Sequence, residues 1–206
     1  MTLYDLKPRF QALLRPLVRR LADGGVTANQ VTLAAAIGSV ALGILLCCKS
    51  HNHALFLLLP VWLAVRMALN AIDGMLAREF GQKSRLGGYL NELCDVVSDA
   101  ALLLPFALIA PFSQPTVFAV IGLAIVAEYA GVMGPLVGAS RRYDGPMGKS
   151  DRAFVFGVLG LWVGVSHVLP AWLGWAVPVL AVLLVLTVIN RVRAGIGEAR
   201  MVVQQC

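Results

Sequence analysis

The chain has 206 residues, 59% of them hydrophobic and 14% charged, with a formal net charge of +6. Soluble domains carry about 45–50% apolar and about 25% charged residues, so this composition excludes an ordinary soluble domain. The basic residues flank long apolar blocks, which makes a membrane rather than a nucleic acid the partner of the positive charge.

Residues 3–21 predict an amphipathic helix at the lipid surface. Leu6, Phe10, Leu13, Leu14, Leu17, Val18 and Leu21 recur at helical spacing, interrupted by Lys7, Arg9, Arg15, Arg19 and Arg20. The alternative for this segment is a helix packed on a partner. It has no continuous apolar core and no small-residue cleavage site, so it does not read as a secretion signal.

Six membrane spans follow, at about 28–48, 54–78, 86–110, 115–138, 150–168 and 171–192. Each is close to the length that crosses roughly 30 Å of hydrocarbon. The expected fold is an all-α integral membrane protein, a single domain over 1–206, with six transmembrane helices behind the surface helix. All of the 17 Lys and Arg except Lys49 and Arg66 fall on one side of this layout. The excess of positive charge places both termini and the two basic loops in the cytoplasm, as in a bacterial inner membrane protein. Cys47, Cys48, Cys94 and Cys206 read as free thiols. His51, His53 and His167 fall on the outer side as solvated loop residues.

Ionisable groups at membrane depth are costly and mark functional sites or buried pairs. The second span carries Arg66, Asn70, Asp73 and Arg78, the third Asn91, Glu92, Asp95 and Asp99, and the fourth Glu128. Arg66, Asn70, Asp73 and Ala77 share one helix face, as do Asn91, Asp95 and Asp99. A short connection makes these two spans antiparallel neighbours. Facing stripes would form a cage of hard oxygen ligands suited to Mg²⁺ or Mn²⁺, and such ions usually also hold substrate phosphate. An ion pair of Arg66 with Asp95 or Asp99 is the purely structural alternative. Gly74, Gly87 and Gly88 beside the stripes would admit a ligand closely. The pairs Gly134 and Gly138, and Gly160 and Gly164, predict close helix packing, within the chain or at a dimer seam.

The arrangement Asn70-x2-Asp73-Gly74-x2-Ala77-Arg78-x8-Gly87-x3-Asn91-x3-Asp95 resembles the D-x2-D-G-x2-A-R-x8-G-x3-D-x3-D pattern of CDP-alcohol phosphotransferases. Every spacing matches, and six of the eight fixed positions are identical. Val26–Thr32 and Gly148–Arg152 also resemble segments of that family that open its first and fifth spans. The resemblance implies a donor that is a CDP-linked lipid, CDP-diacylglycerol above all, with CMP released as the phosphatidyl group passes to an alcohol. It implies cytidine near Gly74, Ala77 and Arg78, with Gly87 on the nucleotide surface. It implies metal at Asn70, Asp73, Asn91 and Asp95, and Asp95 as the base for the acceptor hydroxyl. Members of the family are commonly homodimers.

The two asparagines depart from the pattern, removing charge and implying weaker metal binding or one metal in place of two. Glu92 and Asp99 are candidate replacements. Lys149 and Arg152, with Arg141 and Arg142, form an expected basic mouth for an anionic, glycerol phosphate-like acceptor. The rival readings are a non-catalytic relative that binds a CDP-lipid or a partner, and a small transporter. The transporter is disfavoured because the acidic stripes lie toward the cytoplasmic ends.

Overall fold

The computed structural model describes residues 3–166 and 168–204, with side chains described for 10–166 and 168–201. His167 and Cys206, and the side chains of Leu6, Lys7 and Arg9, lie outside the described residues. Among the described residues seven α-helices run in order: α1 Leu3–Asp23, α2 Ala28–Cys48, α3 Leu58–Glu79, α4 Arg85–Leu103, α5 Gln114–Val132, α6 Lys149–Val165 and α7 Ala176–Gln204. Single 3₁₀ turns at His53–Leu57, Leu104–Leu108, Gly134–Val137 and Ala171–Trp175 lead into or extend them.

The outer surface is apolar and the interior partly ionic. Ile37, Val61, Phe118, Phe154 and Val182 are exposed, while Arg66, Arg152 and Arg191 are only 4%, 2% and 2% exposed. That inversion suits a lipid surround. Among the described residues four segments are long and apolar enough to cross a membrane: Ala28–Cys48, His53–Glu79, Gln114–Val132 and Ala171–Met201. The expected third and fifth spans fall short for physical reasons. Helix α4 carries Glu92, Asp95 and Asp99, and α6 has 17 residues and opens on Lys149, Asp151 and Arg152.

Helix α2 is the central partner of the site half. Both α3 and α4 pack on it, rather than closely on each other, and α6 packs on α3. The expected direct facing of the two polar spans is therefore replaced by a cleft roofed by α2. At the crossing of α2 and α4, a Cβ on Gly43 would lie 2.3 Å from the Ala101 carbonyl oxygen. Backbone cannot yield as a flexible side chain can, so Gly43→Ala is expected to destabilise the fold by about 1–3 kcal/mol. Thermal unfolding in detergent reads this; an unchanged midpoint contradicts it.

Gly160 and Gly164 serve packing within the chain, against Leu59 and Leu57. Gly134 and Gly138 belong instead to a chain reversal. Gly134 abuts the Ser140 carbonyl, and Gly138 takes φ +82, a left-handed conformation that favours glycine.

Two apolar clusters hold the helices. The larger centres on Phe106, whose ring meets Phe56, Phe112 and Phe156 edge-on at 5.6, 5.6 and 5.3 Å. The smaller joins α1 to the site helices through Val18, Val31, Ile72, Met75 and Leu76, with Leu14 and Leu21 beside them. Part of the apolar face of α1 is thus spent inside the molecule, while Leu13 and Leu17 remain exposed. Arg15 adds an ion pair to Glu79 at 3.0 Å.

Candidate active site

The cleft between α3 and α4 opens into a cavity of about 380 Å³. Its α3 wall is Asn70, Asp73, Gly74, Ala77 and Arg78; its α4 wall is Gly87, Gly88 and Asn91; α2 contributes Ala28, Asn29 and Thr32; and Gln82, Lys83 and Ser84 close the connecting loop. Every motif position except Asp95 therefore lines one space.

Local chemistry fixes this wall. Thr27 and Gln30 form a reciprocal capping box that starts α2, with bonds of 3.3 and 2.9 Å. Gln82 pins the same helix start to the α3–α4 loop. Its Oε1 accepts from the Ala28 amide at 2.7 Å, and its Nε2 donates to the Val26 carbonyl at 3.3 Å. Ser84 caps α4 by accepting from the Gly87 amide at 2.9 Å. A Cβ on Gly87 would lie 2.8 Å from Asn29 Oδ1, so a side chain there would intrude on the α2 wall. A Cβ on Gly74 would lie 3.0 Å from both terminal nitrogens of Arg78, so that guanidinium folds back over the glycine.

Asp73 is 4% exposed. Thr32 Oγ1 donates to its Oδ2 at 2.8 Å, which orients the carboxylate. Among the described residues Asp73 has no ion pair, and neither do Arg78 and Lys83 on the same cavity wall. A cavity with two uncommitted cations and a set of oxygen donors suits a phosphate-bearing ligand.

Asp95, one helical turn beyond Asn91, is not among the residues that line this cavity. Its carboxylate pairs with Lys149, and Arg66 reaches its Oδ1 at 3.3 Å and its carbonyl oxygen at 3.1 Å.

Several expected residues are committed elsewhere. Arg152 does not reach the mouth. It donates to Asp99 at 2.8 Å, to Glu128 at 2.9 Å and to the Met147 carbonyl at 3.3 Å. Asp99 is held between Arg152 and Arg66, so it is no replacement ligand. Glu92 pairs with Arg141 and does not line the cavity. Arg142 pairs with Asp144 and Glu198, and its hydrogen bond holds the Asp144 carboxyl below the usual carboxylate range. The expected basic mouth is thus largely neutralised by its own partners. Among the described residues the uncommitted cations at the cavity are Arg78 and Lys83, and the second was not anticipated. Sequence reasoning also missed Asn29, Thr32 and Gln82. The Val26–Thr32 resemblance was the signal that could have found the first two.

The donor chemistry fits a hard divalent ion to a limited extent. Asp73 supplies a carboxylate and Asn70 and Asn91 amide oxygens on the cavity wall. Among the described residues no three His, Cys, Asp or Glu side chains converge as a ligand set. The residues therefore offer oxygen donors of the kind a hard divalent ion takes, without a densely acidic cage.

A helical bundle with its polar cleft between these motif-bearing helices matches known proteins. The CDP-alcohol phosphatidyltransferase profile covers residues 25–189, and the chain belongs to that family. It is 46% identical over 197 residues to Inner membrane protein YnbA of Escherichia coli (strain K12), covering 94% of this chain and 96% of that one. It is 26% identical over 178 residues to archaetidylinositol phosphate synthase of Pyrococcus horikoshii, covering 84% and 90%. Crystal structures of the phosphatidylinositol phosphate synthase PgsA1 of Mycobacterium tuberculosis share the fold at 24% identity. The complex with manganese and citrate gives a TM-score of 0.71 and covers 87% of each chain. The form with CDP-DAG bound gives 0.67, covering 87% of this chain and 92% of that one.

Proposed function

We propose that this chain transfers a phosphatidyl group from a CDP-linked lipid, CDP-diacylglycerol, to the hydroxyl of an alcohol and releases CMP. The observation that carries the reading is the single cavity that gathers Asn70, Asp73, Gly74, Ala77, Arg78, Gly87 and Asn91 beside two uncommitted cations. Family membership and the PgsA1 structure with CDP-DAG bound support the donor class.

In this reading Gly74, Ala77 and Gly87 give the nucleotide a surface without side-chain bulk. Arg78 and Lys83 balance the diphosphate charge. Asp73, Asn70 and Asn91 would hold Mg²⁺ or Mn²⁺, which would supply positive charge against the phosphate oxygens and the leaving group. Asp95 takes the proton of the acceptor hydroxyl. The freed oxygen bonds to the lipid-side phosphorus, and the phosphorus–oxygen bond to CMP breaks with its electron pair leaving on CMP. The family pattern and Asp95's place next to the cleft support the base role. Lys149, 31% exposed at its side chain, is the basic group nearest this step and favours an anionic acceptor of the glycerol phosphate type.

The layout we propose keeps six spans, with α4 and α6 crossing because their polar groups face the interior pairs rather than lipid. Helix α1 lies at the lipid surface through Leu13 and Leu17. The one-sided Lys and Arg distribution supports cytoplasmic termini and a cytoplasmic site. The name of the E. coli relative supports a bacterial inner membrane.

A second reading, a non-catalytic protein that binds a CDP-lipid, is favoured by Asn70 and Asn91 and by the double pairing of Asp95. Purified protein incubated with CDP-diacylglycerol, Mg²⁺ or Mn²⁺ and a panel of alcohols separates the two. The first reading expects acceptor-dependent CMP release; binding of the donor without CMP under every acceptor supports the second.

A further inference from the structure

The two motif carboxylates live in different electrostatic surroundings. Asp95 is already compensated: Lys149, at the N-terminus of α6, pairs with Oδ2, and Arg66 reaches Oδ1. Asp73 is buried and has a hydroxyl, Thr32, but no cation paired with it among the described residues. A buried carboxylate without a cation is costly, whereas one held by two basic side chains gains little from another positive charge. The chain also has amides where two further carboxylates would attract metal, at Asn70 and Asn91. A second divalent ion placed at Asp95 would face Lys149 and Arg66 at short range, where like charges repel strongly.

We propose that this chain holds one divalent cation, at Asp73 with the amide oxygens of Asn70 and Asn91, and that the Lys149 ammonium supplies at Asp95 the positive charge a second cation would bring. The proposal deepens the phosphatidyl-transfer reading of the cavity and rests on it. A tethered ammonium cannot be removed by a chelator and carries half the charge of a divalent ion. Its opening position on α6 couples that helix to the site.

Mn²⁺ uptake by the detergent-purified chain, followed from the EPR signal of free Mn²⁺, tests this without reference to turnover. Wild type is expected to bind one Mn²⁺ per chain, and Asp73→Asn to bind it at least ten-fold more weakly. The double variant Asn91→Asp with Lys149→Met restores a carboxylate one helical turn from Asp95 and removes the ammonium. It is expected to bind a second Mn²⁺. Two Mn²⁺ on wild type, none on wild type, or a folded double variant that stays at one overturns the proposal. Should the double variant fail to fold, Asn91→Asp with the more conservative Lys149→Gln takes its place with the same expectation, and a folded form that stays at one Mn²⁺ overturns the proposal. CMP release measured on the same sample keeps the two readings apart. One Mn²⁺ without CMP release supports the cation count and removes the transfer reading, whereas two with release does the reverse.

Discussion

Replacing Asp95 by Asn is expected to lower the rate of CMP release by about 10²–10⁴-fold, the usual worth of a positioned general base. The amide is nearly the shape of the carboxylate but cannot take a proton. Because Asp95 does not line the cavity that would hold the donor, the KM for CDP-diacylglycerol is expected to change little. The loss should appear in kcat. The variant also strands Lys149 without its partner and weakens one of the two pairings of Arg66, which Asp99 still holds. Lys149 is partly exposed and can turn to solvent, so the fold should survive. A rate within a few-fold of wild type would remove Asp95 from the reaction. A raised donor KM with unchanged kcat would make it a binding residue instead.

The sequence makes the bundle legible because hydropathy acts locally. Residues 28–48 were expected as a span, and α2 has those bounds. The motif spacing is also local: positions three, four and seven apart on one helix must share a face, so Asn70, Asp73, Gly74 and Ala77 reach the same cavity. What was not legible depends on which helix lies against which. A short connection between α3 and α4 suggests direct packing, yet α2 takes that place, and Thr32 and Asn29 enter the site with it. Pairing of charges is likewise a property of the third dimension. The positive-inside pattern counts Arg141 and Arg142 as cytoplasmic cations but is blind to Glu92, Asp144 and Glu198, which consume them. Lys83 looked like one more loop lysine until the cavity gave it a neighbour.

Arg152 shows the same limit with the largest consequence for stability. The Gly148–Arg152 resemblance suggested a residue that meets substrate, whereas the side chain is buried among acids from two other helices. It ties α6 to Asp99 on α4 and Glu128 on α5, while Arg66 and Arg191 hold the outer ends of the chain of pairs. Arg191 in turn reaches the Ala127 carbonyl at 2.5 Å, an approach Gly131 permits. Removing the central cation leaves two carboxylates facing each other in a low-dielectric interior. Arg152→Ala is therefore expected to cost about 3–5 kcal/mol, read as a lower unfolding midpoint in detergent. Arg152→Lys should fall between, because one ammonium cannot serve both acids with the planar fork of a guanidinium. Removing one acid with it, as Arg152→Met with Asp99→Leu, should recover part of the loss, because Arg66 keeps Asp95 and Glu128 keeps Arg191, so charge of each sign leaves together. A substrate role predicts the opposite pattern: an unchanged midpoint in Arg152→Ala, a raised KM for the acceptor, and no recovery in the double variant.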